Sequence, residues 1–67
     1  MRINQIIKEL RKENNLNQNE LAKLCNVQQS CISKWERGIT SPSTDMIVCL
    51  AKIFDVSCDY LLGKDEI

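Results

Sequence analysis

The sequence predicts an all-α chain, an orthogonal bundle of five short helices, and three observations carry that prediction. Glycine and proline are scarce, at 2 and 1, and single Trp, Tyr and Phe residues are the only aromatics, while Leu, Ile, Lys, Glu, Asn and Gln abound. That composition suits helices better than a β-sandwich or barrel. Ile3, Ile6, Ile7 and Leu10 fall at i, i+3, i+4 and i+7, one face of a helix. Finally, an apolar residue just before a capping residue is matched by another five positions later at Leu16/Leu21, Val27/Ile32, Pro42/Ile47 and Val56/Leu61, the spacing of a hydrophobic staple.

Taken in order, the first helix covers about 3–14 and closes at Asn14-Asn15, because asparagine tolerates the left-handed turn that ends a helix. The segment Leu16-Asn17-Gln18-Asn19-Glu20-Leu21 has an Asn cap with Glu three residues on, a capping box inside a staple. It starts a helix over 18–25 with Leu21, Leu24 and Cys25 inward and a small Ala22, stopping at Asn26. Caps at Gln28, Ser43 and Ser57 start three more helices, over 29–36, 44–54 and 58–62. Only the loop from Arg37 to Ser43, with Gly38 and Pro42, is longer than a tight turn. Short helices at short turns cannot run alongside one another as a long coil, so they cross. A chain of 67 residues has room for one core, and residues 1–67 are expected to form one domain.

Nine basic and nine acidic residues cancel, and a pI near 6.2 argues against coating nucleic acid by bulk charge. The charges are nonetheless unevenly spread. Up to Pro42 the seven basic residues Arg2, Lys8, Arg11, Lys12, Lys23, Lys34 and Arg37 outweigh four acids, a net +3. From Ser43 onward Lys52 and Lys64 face Asp45, Asp55, Asp59, Asp65 and Glu66, a net −3. No segment has a signal peptide's apolar region, and Met46 to Phe54 is too short and too interrupted by Lys52 to span a bilayer. A soluble, cytoplasmic protein away from the membrane is expected. Cysteines 25, 31, 49 and 58 make no C-x-x-C pair, and no histidine completes a zinc set, so buried or half-buried reduced thiols are favoured over a disulfide or a metal. With no Gly-rich phosphate loop and no paired carboxylates at helical spacing in the basic half, neither an enzyme nor a cofactor is expected.

The second and third helices are short and joined by only Asn26, Val27 and Gln28, with Ala22 where they must come close. That is the geometry of a helix-turn-helix over 18–37. The third helix exposes Gln29, Ser30, Ser33 and Lys34 opposite Ile32 and Trp35. Glutamine can hold adenine at N6 and N7 together, serine suits several bases, and lysine reaches guanine or phosphate. The start of that helix also offers free amides and a partial positive charge to phosphate.

From about Ile3 to Leu62 the chain resembles the phage repressor and Cro-type helix-turn-helix regulators, also called XRE-like. The resemblance lies in LNQNELAKLCNVQQSCISKWERG and SPSTDMIVCLAKIFDVSCDYLL, through Asn17-Gln18, Leu21-Ala22, Ile32, Trp35-Glu36-Arg37-Gly38, Pro42-Ser43, Leu50-Ala51 and Val56-Ser57. It implies a lambda-repressor-like bundle that binds double-stranded DNA as a transcriptional regulator, repression being the expected sign. In that family Gln18 contacts phosphate and can brace the first residue of the recognition helix, here Gln29. The Gln29-Ser30 pair looks like the base-reading pair of some phage repressors, with Ser33 and Lys34 as further readers. Asn17, Gln28, Arg11 and the backbone of Thr40 and Ser41 are the further phosphate ligands it implies. Arg11 and Glu36 match a pair that joins the first helix to the end of the recognition helix; the bland alternative is two unrelated surface charges.

The sequence departs from the family at Asn26 and Asn15, where glycine is common but a left-handed asparagine serves. It departs also at Cys49, often polar in the family, which leaves open an exposed thiol or an added packing contact. One module reads only a few base pairs, so a homodimer on a palindrome with half-sites about 10 bp apart is expected. The resemblance puts the dimer contact near Cys58, Asp59, Tyr60 and Leu62, although Tyr60 could instead close the monomer core. The rival function is an antitoxin-like protein-interaction module that keeps the fold without reading DNA. As the sequence has no room for a ligand-binding or cleavage domain, control is expected through expression level, a protein antagonist or a thiol.

Overall fold

A computed structural model describes residues 3–63. Arg2, Lys64, Asp65 and Glu66, part of the charge pattern above, lie outside them. The described residues form five helices and no strand: α1 (Ile3–Glu13), α2 (Gln18–Cys25), α3 (Gln29–Arg37), α4 (Thr44–Phe54) and α5 (Cys58–Leu61). The expected starts hold in all five. The ends differ by one residue at α1, α3 and α5, which is within the fraying of a helix terminus.

Three of the starts carry a side-chain cap. Asn17 caps α2 through a complete capping box: Glu20 N–H donates to Asn17 Oδ1 and Asn17 N–H donates to Glu20 Oε1, both at 2.8 Å. Ser43 and Ser57 cap α4 and α5 by accepting from the N–H groups of Met46 and Tyr60. The ends are equally local. Asn15, Asn26 and Asp55 take left-handed φ values of 58°, 59° and 55°, the region that short polar side chains tolerate best. Asp55 closes α4 in the manner expected of the two asparagines. Gly38 ends α3 at φ +75°, and a Cβ there would stand 3.6 Å from Asn4 Nδ2, so backbone conformation and not crowding is what calls for glycine.

The core is one cluster. Ile3, Ile6, Ile7 and Leu10 of α1 meet Leu21, Ala22 and Cys25 of α2, Ile32 and Trp35 of α3, Leu50, Ala51 and Phe54 of α4, and Leu61 of α5. The apolar residues flanking the four caps, Leu16, Val27, Pro42 and Val56, are buried or half-buried beside it. α3 is the central element: α1 and α2 both pack on it, while α4 joins α2 to α5 and α5 returns to α1.

Leu24 corrects the expected inward set. It is 54% exposed, whereas Leu21 is fully buried and Ala22 and Cys25 are 3% exposed. Both three- and four-residue spacings look helical from Leu21. The stripe that α2 buries runs through 21, 22 and 25 and leaves 24 outside it.

Of the four free thiols, Cys25 is buried and Cys31, Cys49 and Cys58 are half-buried. Burial pushes the Cys25 thiol up to about 11, helped by the neighbouring Cys49, with which it hydrogen-bonds, and by Cys31. Cys49 is thus half-buried and close enough to Cys25 to act on its thiol, and is not a fully exposed thiol. No helix of the described residues is long and apolar enough to cross a membrane.

Candidate nucleic-acid interface

The turn between α2 and α3 is closed by its own backbone. Asn26 N–H donates to Lys23 O at 3.2 Å and Val27 N–H to Ala22 O at 3.0 Å, the paired bonds of a helix end capped by a left-handed residue. Three residues later α3 begins, with Gln28 as its cap in extended conformation and with no side-chain cap bond. The amide of Gln28 is thus not consumed by the helix it starts.

This turn brings the beginnings of α2 and α3 to one edge. Gln18 and Gln29 are the first residues of their helices, and Gln29 Nε2 donates to Gln18 Oε1 at 2.5 Å. Two helix N-termini, with their outward amides and positive partial charge, share that edge. Gln29, Ser30 and Lys34 are exposed there, Ser33 is half-buried, and Ile32 and Trp35 are buried on the opposite face of α3. Asn17 and Gln28 stand exposed at the two caps, with Asn17 Oδ1 already engaged by Glu20. On the far side of α3, Thr40 and Ser41 are exposed in the following loop. There Ile39 N–H and Thr40 N–H both turn back to Lys34 O, at 2.9 and 3.5 Å, which fixes how the loop leaves the helix.

Behind the edge lies a buried charge pair. Arg11 Nε donates to Glu36 Oε2 at 2.6 Å and Arg11 Nη2 to Glu36 Oε1 at 3.1 Å, a two-pronged contact between α1 and the end of α3. Nη1 of the same guanidinium donates to Leu16 O at 2.8 Å, tying in the start of α2. The side chains are 11% and 4% exposed, so this pair is not a surface contact. Burial alone raises the Glu36 carboxyl, but hydrogen bonds from Arg11 and Gln18 and the charges of Arg11 and Lys8 outweigh it and hold the group below its ordinary value of 4.5.

Gln18 Nε2 also donates to Glu36 Oε1, at 3.0 Å. Arg11, Glu36, Gln18 and Gln29 therefore form one continuous polar chain from α1, through both motif helices, to the exposed face of α3. The spacing of the sequence gives no hint of the Gln18–Glu36 link, since the two residues are eighteen positions apart. Cys58, Asp59, Tyr60 and Leu62 lie together at α5, away from this chain. Cys58 and Leu62 pack partly against the core, Asp59 is exposed, and Tyr60 is 41% exposed.

A family model described as Helix-turn-helix (HTH_3) matches residues 7–61. The HTH-type transcriptional regulator ImmR of Bacillus subtilis is 37% identical over 67 residues, which is 100% of this chain and 53% of ImmR. Antitoxin PezA of Streptococcus pneumoniae is 35% identical over 60 residues, 90% of this chain and 38% of PezA. This chain thus spans about half of the first relative and less of the second. Among solved structures, the c2 repressor of Salmonella phage P22 in complex with a synthetic operator matches with a TM-score of 0.87 at 35% identity, over 94% of this chain and 96% of that one. Sequence, fold and the shared edge of α2 and α3 agree, and the chain belongs to the helix-turn-helix family, as a DNA-binding domain of the phage-repressor (XRE-like) type.

Proposed function

We propose that this domain binds a palindromic operator as a homodimer and regulates transcription by occupancy, as a repressor, with the start of α3 in the major groove. The observation that carries the reading is the edge where Gln18 meets Gln29: two helix N-termini converge beside an exposed strip of amide, hydroxyl and ammonium groups that holds no carboxylate. In this reading Gln29 pairs with an adenine, Ser30 with a neighbouring base, and Ser33 and Lys34 extend the contact. Asn17, Gln18, Gln28, the two remaining Nη hydrogens of Arg11 and the loop at Thr40 and Ser41 meet phosphates and set the register. Tyr60, with Cys58, Asp59 and Leu62, forms the dimer contact, for which an amphipathic, part-exposed aromatic is well suited.

The test is selection from a random duplex pool, followed by titration of the winner at several salt concentrations. A palindromic winner with a steep salt dependence, lost in Gln29→Ala and bound more weakly with a shallower salt slope in Gln18→Ala, supports the reading. Weak, salt-sensitive binding with no enriched sequence refutes it and favours a protein-interaction module. A monomer by sedimentation at every concentration, with and without the duplex, removes the dimer.

A further inference from the structure

A carboxylate can only accept hydrogen bonds. Glu36 already holds Arg11 N–H groups on both oxygens, and its Oε1 faces Gln18 as well. Gln18 can meet that oxygen only with its NH2 group, which turns its own carbonyl to Gln29. That carbonyl, in turn, can be met only by an N–H, and Gln29 Nε2 supplies it. The polarity of both amides is thereby set from inside the protein. Gln29 is left with its carbonyl oxygen and one N–H to offer outward.

From this we infer that Glu36, which does not face the groove itself, determines which base Gln29 accepts: acting through Gln18, it commits Gln29 to adenine and against guanine. The inference rests on the base-reading role proposed for Gln29. Adenine shows an acceptor at N7 and a donor at N6, which match the free N–H and the carbonyl of Gln29. Guanine shows acceptors at both N7 and O6, so a carbonyl that cannot turn away meets O6 lone pair to lone pair. A glutamine released from Gln18 can rotate its amide by half a turn and give O6 an N–H, and so reads both purines. Glu36 is accordingly a positioning residue, with Gln18 as the relay.

The experiment compares two duplexes, the selected operator and the same operator with one A·T pair at the Gln29 contact changed to G·C, and reads the ratio of their affinities. Two variants cut the chain at different points. Gln18→Met removes the relay at nearly constant length and leaves the Arg11–Glu36 pair in place. The double variant Arg11→Met with Glu36→Leu removes the source and leaves no buried charge unpaired, a replacement that folded proteins often tolerate. Loss of a phosphate contact weakens both duplexes alike, so the ratio isolates base choice. The native chain is expected to prefer adenine by on the order of tenfold or more, as for a good two-bond contact. In both variants, with helical content checked by circular dichroism, the preference is expected to fall to within about threefold of parity. A ratio kept in either variant overturns the relay. If Gln29→Ala keeps the ratio, the base-reading role fails, and the relay with it. If Gln29→Ala loses the ratio and Gln18→Met keeps it, only the relay is wrong.

Discussion

Replacing Arg11 with methionine strips Glu36 of its counter-charge while filling much of the same volume. Three hydrogen bonds go: two to the carboxylate and one to Leu16 O. Glu36, with a side chain 4% exposed, keeps only Gln18 as a hydrogen-bond partner. Removing one member of a buried pair costs about 3–5 kcal/mol, and the nearby charge of Lys8 argues for the lower end, about 3 kcal/mol. A chain of this length has a total stability of roughly 3–10 kcal/mol, so the loss is a large fraction of it. At about 4–8 °C per kcal/mol for a small domain, the melting temperature falls by roughly 12–24 °C at pH 7. The buried Trp35, the sole tryptophan, gives a fluorescence signal for unfolding, with circular dichroism as the second probe.

The pH dependence gives this prediction a sign. In the native chain the Glu36 pKa is lowered below 4.5, so its contribution to stability is complete above that value and is lost as pH falls through the lowered pKa. Without Arg11 its hydrogen bond and its charge no longer lower the carboxyl, so the pKa rises relative to the native chain and the stability that the ionised group adds shrinks. The gap between the two proteins is therefore widest near neutrality and narrows towards pH 4. A variant that melts within about 2 °C of the native chain at pH 7 would show that the pair contributes no more than an exposed one.

Leu24→Gln is expected to change stability by less than about 0.5 kcal/mol, whereas Leu21→Ala, three residues earlier in the same helix, costs about 2–5 kcal/mol; urea titration of both variants reads the contrast. Asn26→Val puts a branched side chain in the left-handed region and is expected to cost at least about 1–2 kcal/mol, while Asn26→Gly is tolerated; equal stabilities would contradict the turn geometry. The raised pKa and burial of Cys25 make it the last thiol to react with iodoacetamide at pH 7.5 in the native chain, with its rate recovering in urea. Mass mapping that found it modified first would refute this placement.

Much of this fold is legible in the sequence because helix ends are decided locally. A capping box needs four residues, a staple six and a left-handed closure one, so the starts of α2 to α5 and the turns at Asn15 and Asn26 can be read without knowing what packs on what, and the apolar period of α1 marks the remaining helix. The exposed strip of Gln29, Ser30 and Lys34 follows from the same logic, since helical period alone places it opposite Ile32 and Trp35. Tertiary structure decided what depends on where the helices cross. Leu24 satisfied a helical spacing and was left outside because the face that α2 buries runs through Leu21, Ala22 and Cys25. Cys49, ambiguous by itself, became a partner of Cys25 once α4 lay on α2. The link from Glu36 to Gln18 joins the last turn of α3 to the first of α2, and only the crossing of those helices brings the two within hydrogen-bond reach. Local spacing could nominate Gln29 as a reader of bases. The polarity of its amide depends on a carboxylate two turns away, reached through a different helix, and no one-dimensional pattern encodes that contact.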